Sequence, residues 1–387
     1  MTTLAQQAGL SARQLQRLLQ QHFGISPIEL AQTTRLLFAK KLLQETSLPM
    51  TELAFAAGFG SVRRFNALFL SRYGLAPGGL RRNSAGNDEI TLRLAYRPPL
   101  AWNSLCDYLA ARLIKGVEAI TPTTQTYLRT VRLPHQQATL EGWISVSHLP
   151  QEHQLQVQVA ASLTPVLMPL LARVRQLFDL DANPVSIEEH LIADPLMANQ
   201  IRRTPGLRVA GAFEPFELAI RAVLGQQISV AGASTLAARL VRQFGTAVES
   251  PFPGLTHHFP YAAALAAIPV EQIASLGMPH SRAATIVAMA QFAAQGGLEM
   301  TPGTTLEQAT AQMKMVRGIG EWTAQYIALR ALRYPDAFPA GDLGLQKAAA
   351  SDGVDKISQA QLLLQAQPWS PWRGYAALLL WQSLNHP

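Results

Sequence analysis

Apolar and polar residues follow three different rhythms along this chain. Residues 1–82 are spaced as helices with short breaks. Leu4–Leu10 predicts a helix, Ser11 caps a second over Ala12–His22, and Gly24-Ile25-Ser26-Pro27 stops it before a long helix from Ile28 to about Glu45. Glu52–Ala57, the break Gly58-Phe59-Gly60-Ser61 and Val62–Tyr73 repeat the helix-turn-helix form. Both halves end alike, His22-Phe23-Gly24-Ile25-Ser26-Pro27 against Arg72-Tyr73-Gly74-Leu75-Ala76-Pro77, so the region is an internal duplication. Residues 83–88, opening on Asn83-Ser84-Ala85-Gly86-Asn87, predict a linker. In 89–203 the period falls to two: Ile90–Leu94, Tyr127–Leu133, Gly142–Ser147 and Leu155–Val159 are the expected strands, with amphipathic helices over Trp102–Ile114 and Pro165–Phe178. The third part, 204–387, is helical in pattern from Ala210 onward, with no convincing strand. The expected fold is multidomain and mainly α: a double helix-turn-helix domain, an α+β antiparallel-sheet domain and an all-α domain.

Composition narrows the class. The hydrophobic content of 48% describes a globular chain. No apolar run approaches the roughly 20 residues that span a bilayer, and the first residues lack a secretory pattern. A cytosolic, nucleoid-associated chain is expected. The single cysteine, Cys106, excludes an internal disulfide and any cysteine-based zinc or iron–sulfur site. His257-His258 and the other histidines fit no ligand spacing and are expected on the surface. Cys106, Trp143, Trp369 and Trp372 are expected to pack. Charge is uneven: residues 1–87 hold ten basic and three acidic residues, and the remainder holds equal numbers. The excess points to polyanion binding by the first fifth of the chain.

The strongest chemical signal is Val316–Ala324, Val-Arg-Gly-Ile-Gly-Glu-Trp-Thr-Ala. One helical pattern (Thr305–Met315) enters the glycines and another (Glu321–Leu332) leaves them. Gly318 and Gly320 allow a close turn that aims bare N–H groups and a helix N-terminus at an anion. Beyond it, Phe338-Pro339-Ala340-Gly341 leads to a lone acid, Asp342. Taken alone, the glycine turn is a plain helix connection or a non-catalytic DNA contact, and Asp342 is a helix cap for residues from Leu343 on. A cap and a catalytic carboxylate are compatible in one side chain.

The ordered set of helix, hairpin, helix, Gly/Pro loop and aspartate resembles the helix-hairpin-helix base-excision DNA glycosylases. Residues 89–384 are similar to AlkA-like 3-methyladenine DNA glycosylases, most densely over Phe213–Val230, Leu276–Ala283, Met315–Leu345 and Pro371–Trp381. Residues 1–82 resemble the double helix-turn-helix domain of AraC-type regulators. The stretch Gly58–Asn66 looks like regulators of the alkylation response, some of which are fused to a glycosylase.

The resemblance implies a role for each matched residue. Asp342 takes the catalytic carboxylate's place; Gly318, Ile319, Gly320 and Thr323 take the DNA-binding hairpin's. Trp322, Tyr326 and Trp381 match aromatic positions lining a base pocket, and Gln226 and Gln227 match the loop inserted into the duplex. Arg13, Gln14, Arg17, Arg63, Arg64 and Asn66 are the expected DNA contacts of the helix-turn-helix units, with Arg72 a further phosphate contact. Chemistry fits these roles. A base inside a duplex must be flipped out to be reached. Alkylation makes the base a cation, and each aromatic face near it contributes about 0.5–2 kcal/mol. A carboxylate beside the sugar stabilises the positive charge left by the departing base.

Strand-cutting relatives place a Schiff-base lysine two residues after the second hairpin glycine, where this chain has Trp322. The resemblance therefore implies base release without strand cleavage, and no metal or cofactor is expected. The expected partners are double-stranded DNA with alkylated bases and, through the N-terminal domain, promoter DNA; a monomer is expected, with no membrane association. The competing class is a transcription regulator whose C-terminal half holds DNA without catalysis. Removing residues 1–82 is expected to leave base excision largely intact.

Overall fold

The computed structural model describes residues 5, 9–80, 90–350 and 354–384. Apart from Ala5, Gly9 and Leu10, the helix expected over Leu4–Leu10 lies outside them, as does all of the expected linker. Among the described residues the N-terminal part has α1 (Ala12–Phe23), α2 (Pro27–Glu45), α3 (Met50–Ala56) and α4 (Val62–Tyr73). Ser11, Ser26 and Ser61 each accept the backbone N–H three residues on, and the first two complete capping boxes with Gln14 and Glu29. Gly24 and Gly74 close α1 and α4 in the left-handed region, at φ +67° and +71°. The sequence duplication is thus a duplication of backbone geometry as well.

A five-stranded antiparallel sheet follows: β1 (Ile90–Ala95), β2 (Glu118–Thr121), β3 (Thr126–His135), β4 (Ala138–Leu149) and β5 (Gln154–Val159), in the order β1-β5-β4-β3-β2. Alternation explains its sidedness, since Leu155, Val157 and Val159 of β5 are fully buried while the glutamines between them are not. Helices α5 (Trp102–Ala110) and α6 (Leu167–Leu177) add Leu105, Leu109, Leu170 and Val174 to the same core. β2 is the strand the sequence does not announce. Its four residues are too few to display a period.

The helical part comprises α7 (Pro184–Leu191), α8 (Pro195–Arg203), α9 (Pro215–Leu224), α10 (Val230–Phe244), α11 (Ala262–Ala266), α12 (Val270–Ala274), α13 (His280–Ala294), α14 (Leu306–Lys314), α15 (Glu321–Arg330), α16 (Leu343–Ala348), α17 (Gln359–Gln365) and α18 (Arg373–Ser383). Ile187, Leu191, Met197 and Ile201, on α7 and α8, belong to its core. Core membership therefore crosses the 203/204 boundary expected from sequence. Two corrections concern residues 246–258. Thr246–Ala247 pairs with His257–His258 as a short antiparallel ladder, and His258 is buried rather than on the surface. Burial pushes its imidazole down to about 4, with Arg132 adding to the shift.

The sheet and the helical part are joined by buried charge. Arg129 of β3 lies 2.9 Å from Glu217 of α9, and Arg221 of α9 lies 3.1 Å from Glu118 of β2. Burial works against the Glu118 carboxylate, yet Arg221 and Arg129 hold it below the usual range. Replacing Arg129 by Met leaves two buried carboxylates under-compensated. We expect a loss of about 3–5 kcal/mol, measurable by urea unfolding.

The helix-turn-helix part also shares a core with the sheet. Leu42, Leu53, Phe65 and Phe69 are continuous with Leu92, Leu155 and Leu163. Helix α2 packs on β1, and α3 on the turn over Ala161–Val166. β1 is an edge strand, whose free backbone groups invite mispairing. Here Glu45 accepts the Arg93 N–H at 2.8 Å, while Lys41, paired with Glu45 at 2.6 Å, donates to the Arg93 carbonyl. This joint argues against the independence of the two halves expected from sequence.

Candidate active site

Helix α14 starts at a Thr305–Gln308 capping box and runs into the glycine turn. Gly318 adopts φ +91°, and a Cβ there would sit 2.0 Å from Thr285 Oγ1, so conformation and space both exclude a side chain. Gly320 caps α15 with no side-chain hydrogen bond, leaving first-turn N–H groups of that helix open for an anion. Lys314 and Glu321 pair across the turn at 2.6 Å. Ile319 and Thr323 are buried, so their side chains anchor the turn from within. Thr323 Oγ1 accepts from Gln226 Nε2 at 3.0 Å, and Gly318 O accepts from the same nitrogen at 3.0 Å. The two glutamines expected to enter the duplex thus differ. Gln226 is turned inward and braces the loop to the hairpin, whereas Gln227 is exposed at φ +57° at the loop's tip.

Asp342 is the cap of α16: its Oδ1 accepts Leu345 N at 3.0 Å. The same oxygen accepts Trp381 Nε1 at 3.0 Å, and Oδ2 accepts Trp322 Nε1 at 3.0 Å. Two indoles and a helix N-terminus therefore fix the carboxylate's plane. Trp322 and Tyr326, one turn apart on α15, stack with centroids 5.3 Å apart and 12° between planes. Trp381 of α18 meets Tyr326 edge-on at 6.3 Å. The four expected residues line one cavity of about 770 Å³ between α5, α15 and α18. No lysine appears among its described lining residues.

Sequence reasoning missed the far wall of this cavity. Tyr108, on α5 of the sheet part, brings its hydroxyl 3.3 Å from that of Tyr326, and Arg330 Nη1 donates to Tyr326 at 2.6 Å. Arg330 also ties Tyr326 to the inter-domain segment through the Ala210 carbonyl, 2.6 Å away. Burial alone would raise the Tyr326 hydroxyl, but the guanidiniums of Arg330 and Arg112 outweigh it and bring it to about 8. Burial pushes Tyr108 the other way, to about 12. Tyr108 and Arg112 lie within Trp102–Ile114, whose period predicts an amphipathic helix without marking either residue as a pocket wall. The spacing of Tyr326 and Arg330, four apart on one helix face, was the available signal.

On the N-terminal part, Arg13, Gln14, Arg17, Arg63, Arg64 and Asn66 are all exposed, the first three on α1 and the rest on α4. Gln14 is engaged, since its Oε1 accepts the Ser11 N–H at 2.9 Å. Of the residues expected to pack rather than to serve the site, Trp369 and Cys106 are buried, and burial pushes the Cys106 thiol up to about 12.

A glycine hairpin, a capped aspartate and an aromatic cavity on an all-α domain define a base-excision DNA glycosylase of the helix-hairpin-helix class. The family of "HhH-GPD superfamily base excision DNA repair protein" matches residues 220–373, the AlkA N-terminal domain matches 91–214, and a helix-turn-helix domain matches 4–83. The chain belongs to the AlkA family of DNA-3-methyladenine glycosylases, in the form joined to a helix-turn-helix domain. It is 38% identical to the probable bifunctional transcriptional activator/DNA repair enzyme AlkA of Mycobacterium tuberculosis, over 99% of this chain and 77% of that protein. It is 32% identical to DNA-3-methyladenine glycosylase 2 of Escherichia coli, over 74% of this chain and 95% of that protein. The 3-methyladenine DNA-glycosylase of Archaeoglobus fulgidus shares the fold, with a TM-score of 0.65 at 21% identity, over 76% of this chain and 98% of that one.

Proposed function

We propose that this chain is a monofunctional glycosylase that hydrolyses the N-glycosidic bond of alkylated purines, of the 3-methyladenine and 7-methylguanine type, in double-stranded DNA. The observation that carries the proposal is Asp342, whose two oxygens are held by Trp322 and Trp381 at the wall of an aromatic cavity. The names of the relatives support the substrate class. A flat cationic base between Trp322, Tyr326 and Trp381 gains about 0.5–2 kcal/mol per aromatic face. As the base leaves, positive charge grows on the sugar, and a fixed carboxylate beside it costs no reorganisation to stabilise that charge. Three hydrogen bonds occupy three of about four acceptor directions on the carboxylate, which leaves one to orient the attacking water. Gly318 and Gly320 would grip the strand, with Gln227 filling the gap left by the flipped base.

The exposed Arg13, Arg17, Arg63, Arg64 and Asn66 support a second contact, on promoter DNA. We infer a monomer acting on chromosomal DNA in the cytoplasm, without a metal or cofactor.

Incubation with methylated DNA is expected to release free 3-methyladenine and 7-methylguanine and to leave intact strands bearing abasic sites. Borohydride should trap no protein–DNA adduct, because Trp322 stands where a Schiff-base amine would be needed and no described lysine lines the cavity. Absence of free base, or a trapped adduct, would defeat the proposal.

A further inference from the structure

The loop between α9 and α10 carries an exposed apolar side chain that the proposed chemistry leaves without a task. Ile228 follows Gln227 and is 38% exposed, and Val230, which opens α10, is 42% exposed. Both residues also line the Asp342 cavity, so this apolar patch is continuous with the candidate active site. The loop is braced from two sides. Arg282 of α13 donates to the Gln226 carbonyl, and Gln226 Nε2 donates to Gly318 O and Thr323 Oγ1 of the hairpin, each at 3.0 Å. Beyond that brace Gln227 holds φ +57°, a backbone region that residues other than glycine seldom adopt. Ile228 leans back on the first turn of α10, since a Cβ at Gly232 would meet its Cδ1 at 3.5 Å. A β-branched side chain so placed has little rotamer freedom left to lose.

Extruding a nucleotide leaves a gap in the stack, with a bare base face on each side of it. An apolar side chain pressed on such a face removes water from both surfaces, whereas an amide must shed its own water to enter. Side chains that part base steps are accordingly apolar in many DNA-bending proteins. We propose that Ile228 is the apolar half of the wedge, packing on the base face beside the gap while Gln227 reaches into it. The inference rests on the reading of this loop as the one that enters the duplex. Ile228 then contributes more than Gln227 to holding the duplex open.

Binding to a duplex with a tetrahydrofuran abasic analogue, set against an intact duplex of the same sequence, tests this with no base in the cavity. Wild type should prefer the abasic duplex. Ile228→Ala should cut that preference about tenfold and leave intact-duplex binding within about twofold. Ile228→Leu keeps the apolar surface and should keep the preference, and Gln227→Ala should cost less than Ile228→Ala. Thermal melting should be the same for all four proteins, because neither side chain is buried. An unchanged preference in Ile228→Ala would make Ile228 only a wall of the cavity, since an abasic duplex offers that wall no base to touch, and overturns the inference. So does an equal fall for both duplexes, or a larger loss in Gln227→Ala. Equal affinity of wild type for the two duplexes would defeat the glycosylase reading itself, and the inference with it.

Discussion

Asp342→Asn should lower the rate of 3-methyladenine release about a thousandfold while leaving a folded protein. The substitution keeps the side chain's shape, and an asparagine caps a helix as well as an aspartate does. The Leu345 N–H therefore keeps an acceptor, and α16 keeps its start. What is lost is the negative charge beside the sugar. One of the two indole N–H groups that now meet Oδ1 and Oδ2 must also face an amide nitrogen, itself a donor. Single-turnover base release from methylated DNA, with thermal melting of both proteins, separates the two effects. Equal release by wild type and variant would remove Asp342 from the chemistry, and release by neither would favour a C-terminal half that only holds DNA.

Removing residues 1–82 should do more than remove the exposed arginines of α1 and α4. Residues 83–387 alone are expected to melt roughly 10 °C lower than the full chain and to aggregate on warming. Truncation uncovers core residues that pack against Leu42, Leu53, Phe65 and Phe69, and removes the Glu45 and Lys41 partners of the Arg93 backbone. β1 then presents an open edge, the surface through which sheets associate. Base release by the truncated chain should fall along with its folded fraction. A truncated protein that melts with the full chain and keeps its excision rate would show the joint to be energetically idle.

Much of the architecture could be read from the chain because local signals agreed with one another. Ser11, Ser26, Ser61 and Thr305 cap helices where a serine or threonine precedes an apolar period. The glycines at 24, 74 and 318 adopt the left-handed backbone that only they take easily. Asp342, Trp322, Tyr326 and Trp381 are spread over 60 positions of sequence, yet each stood in a recognisable stretch, and the structure gathers them at one cavity. What escaped depends on partners remote in sequence. Tyr108 approaches Tyr326 only after the sheet part docks on the helical part through Arg129, Glu217, Arg221 and Glu118. Gln226 and Gln227 are chemically identical neighbours, and only the position of Gly318 and Thr323 sends one inward and leaves the other at the tip. His258 is drawn into the interior by a two-residue ladder too short to leave a period.

The continuous apolar interior beneath α2, α3, α4 and β1 leaves no swivel between the helix-turn-helix part and the sheet. Separation and bearing between α4 and the sheet are therefore set by that core, unlike those of modules strung on a slack tether. Were the exposed arginines of α4 to grip promoter DNA as proposed, the chain could scan only the stretch of helix that this offset reaches. Inspecting any other stretch demands a curved duplex, a second duplex brought alongside, or release of the first.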